Sequence, residues 1–114
     1  MLNSDPPDSF LPLKPNFFHI LVTLASGEQH GYAIMQEVLE RTGGKVRLWP
    51  ASLYGTLRQL LEAGLIEEFV RRSTADDDPR RKYYRITSLG RKVLAAESAR
   101  LRQLVKFLDR IQEV

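Results

Sequence analysis

Apolar residues along this chain change their spacing twice, and the order of the changes restricts the folds that it can adopt. Three segments before residue 64 have helical spacing and end at glycines: one runs from Pro15 to Ser26, one covers about 30–42, and one covers 51–63. The first is apolar on so many sides that a buried strand is the alternative. Three short helices in succession predict a mostly helical unit.

The spacing then becomes that of strands. Residues 65–72 and 82–87 are β-prone and flank the polar sequence STADDDP, which predicts a hairpin. Residues 88–114 return to helical spacing, with Thr87 or Ser88 as the N-cap. A third helix that follows a short helix pair and precedes a hairpin is typical of a winged helix-turn-helix domain. We therefore expect an α+β, mostly helical fold.

Three regions follow from this pattern. Residues 1–13 contain prolines among polar residues and are expected to form an irregular arm, although the apolar residues between positions 10 and 13 could dock on a neighbouring surface. Residues 14–87 are the predicted winged helix-turn-helix domain. Residues 88–114 are the predicted C-terminal helix.

The C-terminal helix is predicted to pair two copies of the chain. Its apolar residues recur every three or four positions, as in a helix–helix seam, and one small domain has little core left to cover them. We expect a twofold homodimer held together by Leu94, Leu101, Leu104, Val105, Leu108 and Ile111. The alternative is that this stripe folds back on the first helix of its own chain, and both arrangements can hold together if the first helix and the arm complete the interface.

Composition excludes several functional classes. The chain has no cysteine, which rules out disulfides, thiolate metal sites and thiol catalysis. No apolar run is long enough for a membrane span, and the acidic, proline-containing N-terminus is unlike a signal peptide, so we expect a cytoplasmic location. There is no nucleophile motif, phosphate-binding loop or cluster of metal ligands. We therefore expect neither an enzyme, nor a cofactor, nor a metal.

The net charge of +3 is concentrated in the middle of the chain. Residues 44–92 carry 11 Lys or Arg against 6 Asp or Glu, whereas the rest of the chain carries 6 against 8. This basic segment covers the third helix and the hairpin and permits a nucleic-acid partner.

Three separated motifs resemble the PadR family of bacterial transcriptional regulators. They are HGYAIMQEVLERTGGKVRL at 30–48, PASLYGTLRQLLEAGLIE at 50–67 and RRKYYRITSLGRKVL at 80–94. The resemblance covers about residues 16–95, and the single helix after the hairpin is similar to the smaller members. It implies a homodimer that binds operator DNA, usually as a repressor, and that responds to small molecules. One departure is Gly55 after SLY, where the family more often has proline or a larger residue.

Polar and small residues of the third helix are the expected DNA-reading surface, because a helix in the major groove must present such side chains. They are Ser52, Gly55, Thr56, Arg58 and Gln59. Tyr54 of SLY can offer its hydroxyl to a phosphate, and Tyr32 of HGY is assigned to the same interface. From the residues alone, a solvated helix face with an ordinary N-cap is the simpler explanation of this surface. The resemblance to the PadR family makes DNA binding the favoured explanation.

The hairpin is expected to contact the DNA backbone through Arg80, Arg81 and Lys82. The run Asp76–Asp78 at its tip would repel phosphate and is interpreted as a solvated turn that projects away from DNA. A cation site at these aspartates is the weaker alternative.

Three further residues have structural and functional interpretations. Trp49 is expected to pack against Leu48 and Leu53, with the wall of an effector pocket as the alternative. His19 is expected to be semi-buried, and His30 is expected to cap or pack at the start of the second helix.

Together these features predict a sequence-specific DNA-binding transcriptional regulator. We expect a repressor that binds a pseudo-palindromic operator of double-stranded DNA as a homodimer, with control by a small apolar effector. The alternatives are a sensor dimer that sequesters a ligand and a winged-helix adaptor that binds other proteins. The basic run at 80–82 argues against the adaptor.

Overall fold

The computed structural model describes residues 6–70 and 81–112 and shows a mostly helical α+β fold. The wing residues between these ranges, including Arg80 and the acidic tip Asp76–Asp78, lie outside the described residues. The helices are α1 (Pro15–Ala25), α2 (Gly31–Arg41), α3 (Pro50–Glu62) and α4 (Ser88–Gln112). The strands are β1 (Gln29–His30), β2 (Ile66–Val70) and β3 (Lys82–Ile86), and a short 3₁₀ turn covers Pro7–Phe10. The order confirms the predicted winged helix-turn-helix fold.

Local sequence explains where each helix begins. Helices α1 and α3 start with Pro15 and Pro50, whose fixed φ suits the first helical position. The N-cap of α2 is His30, whose Nδ1 accepts a hydrogen bond from the Ala33 N–H at 3.2 Å, as predicted for this histidine. The N-cap of α4 is Thr87, whose hydroxyl accepts the N–H of the third helical residue at 3.0 Å.

The sheet has one strand more than the sequence predicts. Strand β3 lies in the centre and pairs antiparallel with β2 on one side and with the two-residue β1 on the other. Opposite His30 in β1 is Tyr83 of β3. The sheet therefore joins the start of α2 directly to the wing.

The core lies among the three short helices and the inner face of the sheet. All four helices contribute apolar residues to it, and the fully buried ones include Ile20, Leu24, Ile34, Leu53, Leu57, Leu60 and Val93. His19 of α1 is partly buried, as predicted, and this burial, together with the nearby charge of Arg41, lowers its pKa. The packed core supports the exposed surface of α3 and the wing.

The described part of the N-terminal arm is docked on α4, as the sequence allowed for its apolar residues. Its residues 7–10 form the 3₁₀ turn, and Leu13 is buried in the core. The Leu13 N–H donates to a carboxylate oxygen of Glu97 at 3.2 Å, and Arg100 donates to the same carboxylate at 2.6 and 2.9 Å. A buried carboxylate, 3% exposed, therefore ties the start of the chain to α4.

Helix α4 changes its surroundings along its length. Its first turns pack on α1, and Leu94 is partly buried against the core of its own chain. Leu94, which the sequence assigns to the dimer interface, therefore packs in part within its own chain. Beyond Leu101, which is partly buried, the described side chains of α4 are exposed.

Candidate nucleic-acid interface

Helix α3 presents a polar, solvent-facing surface. Ser52, Gly55, Arg58 and Gln59 are exposed, whereas Leu53, Leu57 and Leu60 hold the opposite side in the core. The Ser52 hydroxyl accepts the Trp49 N–H at 3.1 Å, which fixes the first turn of the helix. The exposed face is therefore rigidly attached to the core and free to contact a partner.

Thr56 does not belong to this exposed surface. Its side chain is only 8% exposed, and its hydroxyl donates to the Ser52 carbonyl at 2.8 Å. The sequence assigned Thr56 to the exposed face of α3, but the structure places it at the edge of the buried face, next to Leu57. Its hydroxyl satisfies the backbone of its own helix instead.

Two tyrosines and two cations meet in a cleft beside α3. Tyr32 and Tyr54 line it together with Arg81 and Lys82, and the cleft has a volume of about 420 Å³. Both tyrosines are exposed, at 61% and 52%. The structure thus brings together four side chains, from α2, α3 and the wing, that the sequence assigned to one interface.

A second cleft continues this surface along α3. It extends past Tyr54 to Arg58 and has a volume of about 270 Å³. Glu68 of β2 also lines it and lies 3.8 Å from the Lys82 ammonium. This exposed ion pair is weak, so Lys82 keeps most of its capacity to attract an anion.

Gly31 allows Tyr54 to enter the cleft. A Cβ atom at Gly31 would lie 2.6 Å from the Tyr54 hydroxyl, so no other residue leaves room for this ring position. The motifs HGY and SLY are therefore in direct contact across the α2–α3 pair. Sequence reasoning did not select Gly31, although its place beside Tyr32 in HGY was the available signal.

The floor of the cleft is formed by the sheet. Tyr84 of β3 is buried beneath the cations, and burial, with smaller contributions from Glu68 and Tyr54, raises its pKa. Its hydroxyl therefore stays protonated and neutral near pH 7. On the neighbouring edge, Arg85 forms an exposed ion pair with Glu67 at 2.6 Å.

Trp49 lies on the surface, contrary to the expectation of packing against Leu48 and Leu53. It is 63% exposed, whereas Leu48 is buried. As the N-cap of α3 it has an extended backbone, which directs it away from the helix axis, and the Arg47 guanidinium lies 5.2 Å from its ring centroid.

The second half of α4 carries an apolar surface. The four residues that the sequence assigns to the far part of a partner-facing stripe are each about half exposed: Leu104, Val105, Leu108 and Ile111. Phe107 is 53% exposed on the same part of the helix and was missed by sequence reasoning. Its spacing of three residues from Leu104 and four from Ile111 was the signal that could have found it.

The described residues form neither a metal site nor a membrane-spanning helix. Within residues 6–70 and 81–112, no group of three or more His, Asp or Glu side chains is placed to hold a metal ion. None of the helices described has the length and apolar character that crossing a bilayer requires.

The exposed third helix, the adjoining hairpin and the long last helix define a winged helix-turn-helix protein. The Transcriptional regulator PadR-like family matches residues 20–96, which is more than half of the sequence. The chain belongs to this family. Membership confirms the resemblance seen in the three motifs and agrees with a regulatory rather than an enzymatic role.

Other known proteins are similar to this chain in sequence or in fold. An uncharacterized protein of Lysinibacillus sphaericus is 34% identical over 95 residues, covering 83% of this chain and 79% of that protein. A PadR family transcription regulator from hypervirulent Clostridium difficile has the same fold, with a TM-score of 0.75 at 23% identity over 87% of this chain and 99% of that chain. Bacillus subtilis PadR, solved in complex with operator DNA, aligns with a TM-score of 0.63 at 25% identity. That alignment covers 75% of this chain and 47% of the Bacillus protein.

Proposed function

We propose that this protein is a homodimeric repressor that binds a pseudo-palindromic operator. The observation that carries the proposal is the cleft in which Tyr32, Tyr54, Arg81 and Lys82 converge beside the exposed face of α3. Two hydroxyl donors and two cations in one open cleft suit a DNA phosphate. The similar Bacillus subtilis PadR was solved with operator DNA, which supports the same partner here.

Helix α3 reads the bases in this proposal. Its exposed residues Arg58 and Gln59 can donate to base edges in a major groove, whereas Ser52 and Gly55 let the helix approach closely. The cleft holds the adjacent phosphate and fixes the angle at which α3 enters the groove. In this proposal Arg80, which precedes Arg81 in the chain, binds a further phosphate of the DNA backbone.

The exposed apolar residues of α4 pair two copies of the chain. A twofold arrangement places two α3 helices on half-sites about one helical turn apart. A small apolar effector bound between the paired helices would change the dimer angle and hence the distance between the two α3 helices. Repression follows when the bound dimer occupies a promoter.

Selection from a random DNA pool followed by fluorescence anisotropy tests the proposal. The recovered sites should contain inverted half-sites, and affinity should fall steeply as the salt concentration rises. Recovery of no sequence above background would overturn the proposal.

Two variants separate the two kinds of contact. Arg81→Gln should weaken binding to selected and random duplexes alike and reduce the salt slope by about 1. Arg58→Gln should weaken binding to the selected site by about 1–3 kcal/mol and reduce discrimination at one position. If Arg58→Gln, like Arg81→Gln, weakens binding to selected and random duplexes equally, α3 does not read the bases.

A further inference from the structure

The cleft beside Trp49 is not used by the function proposed above. It lies between α2 and the segment that leads into α3, and it is lined by Tyr32, Met35, Gln36, Leu39, Arg47, Leu48, Trp49 and Pro50. No carboxylate lines it, and its volume is only about 190 Å³. That is less than the roughly 300–1,000 Å³ of a pocket that encloses a small-molecule ligand. Its size therefore favours a surface contact over an effector pocket.

Arg47 and Trp49 form a stacked pair at this cleft. The guanidinium lies 5.2 Å from the indole centroid, and both side chains are exposed. Among the described residues, none forms an ion pair or a side-chain hydrogen bond with Arg47. Stacking restricts the long arginine side chain but leaves the N–H groups at its edge free to donate, so the pair is prepared to bind an anion.

Tyr32 connects this pair to the cleft described for DNA. It lines both clefts, and its hydroxyl accepts a hydrogen bond from Gln36 at 3.0 Å. The cleft with Lys82 and Arg81 of the wing and the cleft with Arg47 and Trp49 therefore adjoin at Tyr32, near the start of α2. A surface with this order of charges follows the path of a phosphate backbone.

We propose that Arg47 binds a second DNA phosphate, at the start of α3, and that Trp49 is the platform that positions its guanidinium. This inference rests on the proposed function. The wing cleft and the Arg47–Trp49 pair then hold the DNA backbone at two points beside the groove that α3 enters. The Trp49 ring is covered by the sugar–phosphate backbone in the complex.

Trp49 is the only tryptophan of the chain, so its fluorescence reports this contact directly. In the free protein its exposure predicts strong quenching by acrylamide. Addition of the selected operator duplex should reduce the acrylamide quenching constant. Unchanged quenching in a complex that anisotropy shows to be saturated would overturn the inference and leave the proposed function intact.

Charge removal gives a second, independent measurement. Arg47→Gln should lower affinity for selected and random duplexes by about fivefold, the equivalent of one hydrogen bond, and reduce the salt slope by about 1. Lys106→Gln, an exposed residue on the far half of α4, removes the same charge as a matched control and should change neither. An equal effect of the two variants, or no effect of Arg47→Gln, would overturn a specific contact.

The role of Trp49 is tested by its conservative variant. Trp49→Phe keeps an aromatic platform and should retain most of the affinity, whereas Trp49→Ala should weaken binding as much as Arg47→Gln does. Additive losses in the double variant Arg47→Gln with Trp49→Ala would show that the two side chains act separately, which contradicts the positioning role. A wild-type protein that binds no duplex would overturn the proposed function and this inference together.

Discussion

Gly31 and Gly55 lie in adjacent helices, but adding a methyl group to each has opposite consequences. A Cβ atom at Gly31 meets the Tyr54 hydroxyl, whereas at Gly55 nothing lies within 4 Å. Gly31→Ala should therefore displace the Tyr54 ring and destabilise the fold by about 1 kcal/mol. Gly55→Ala should stabilise α3 by up to about 1 kcal/mol because alanine favours helix. Denaturant unfolding measures both changes.

A double-mutant cycle attributes the Gly31 effect to Tyr54. Tyr54→Phe removes the hydroxyl that the new methyl group would meet, so Gly31→Ala should cost less stability in that background. The same cost in both backgrounds would show that the strain lies elsewhere.

Single residues also show where sequence reasoning ends. Helical spacing placed Leu53, Leu57 and Leu60 in the core correctly. Spacing could not decide whether Thr56, at the edge of the buried face, is buried or exposed, since a small polar residue is compatible with either environment. It also missed the exposure of Trp49, because the direction of an extended N-cap residue depends on the turn before it.

At the scale of elements, Glu97 links the docked arm to α4. Hydrogen bonds from Arg100 lower the pKa of Glu97 below its usual value of 4.5; burial opposes this shift, and the Leu13 N–H adds to it. Because the pKa is lower in the folded chain, the interaction stabilises the fold above pH 4.5 and is lost as the pH falls through the folded value.

Glu97→Gln should therefore destabilise the protein by about 2 kcal/mol at pH 7, and the difference from wild type should shrink towards pH 3. Urea unfolding between pH 7 and pH 3 measures this difference. Glu37→Gln removes an exposed pair with Arg41 at 3.0 Å and serves as the matched control, with an expected cost below about 0.5 kcal/mol. A pH-independent difference for Glu97→Gln would mean that its charge does not hold the arm.

The elements themselves were largely predictable, since proline, glycine and hydroxyl residues mark their ends. The two-residue strand β1 was not, because two residues are too few to show an alternating pattern. Docking of the arm depends on a contact between residues 84 positions apart, which no local pattern reveals. A charged residue within α4 gave no sign that it would be buried.

At the scale of the whole molecule, the second half of α4 exposes an apolar surface. Its exposed apolar side chains, from Leu104 to Ile111, have no neighbour within the described part of their own chain that buries them. Exposed apolar residues that cluster on one surface mark an interface. The spacing of the apolar residues predicted this stripe. It did not predict which of these residues pack within their own chain, as Leu94 does, because that depends on where α4 separates from α1.

The double variant Leu104→Glu with Leu108→Glu should convert the proposed dimer to a monomer, because it places charges where the proposed interface pairs the two helices. Light scattering should give twice the 13.1 kDa of one chain for the wild type and one chain mass for the variant. Operator affinity should fall when dimerisation is lost, since each half-site is then bound separately. The control is Ala95→Glu with Ala99→Glu, which adds the same charge to exposed positions on the other side of α4 and should leave a dimer. A Leu104 and Leu108 variant that stays dimeric with full operator affinity would place the dimer interface elsewhere in the molecule.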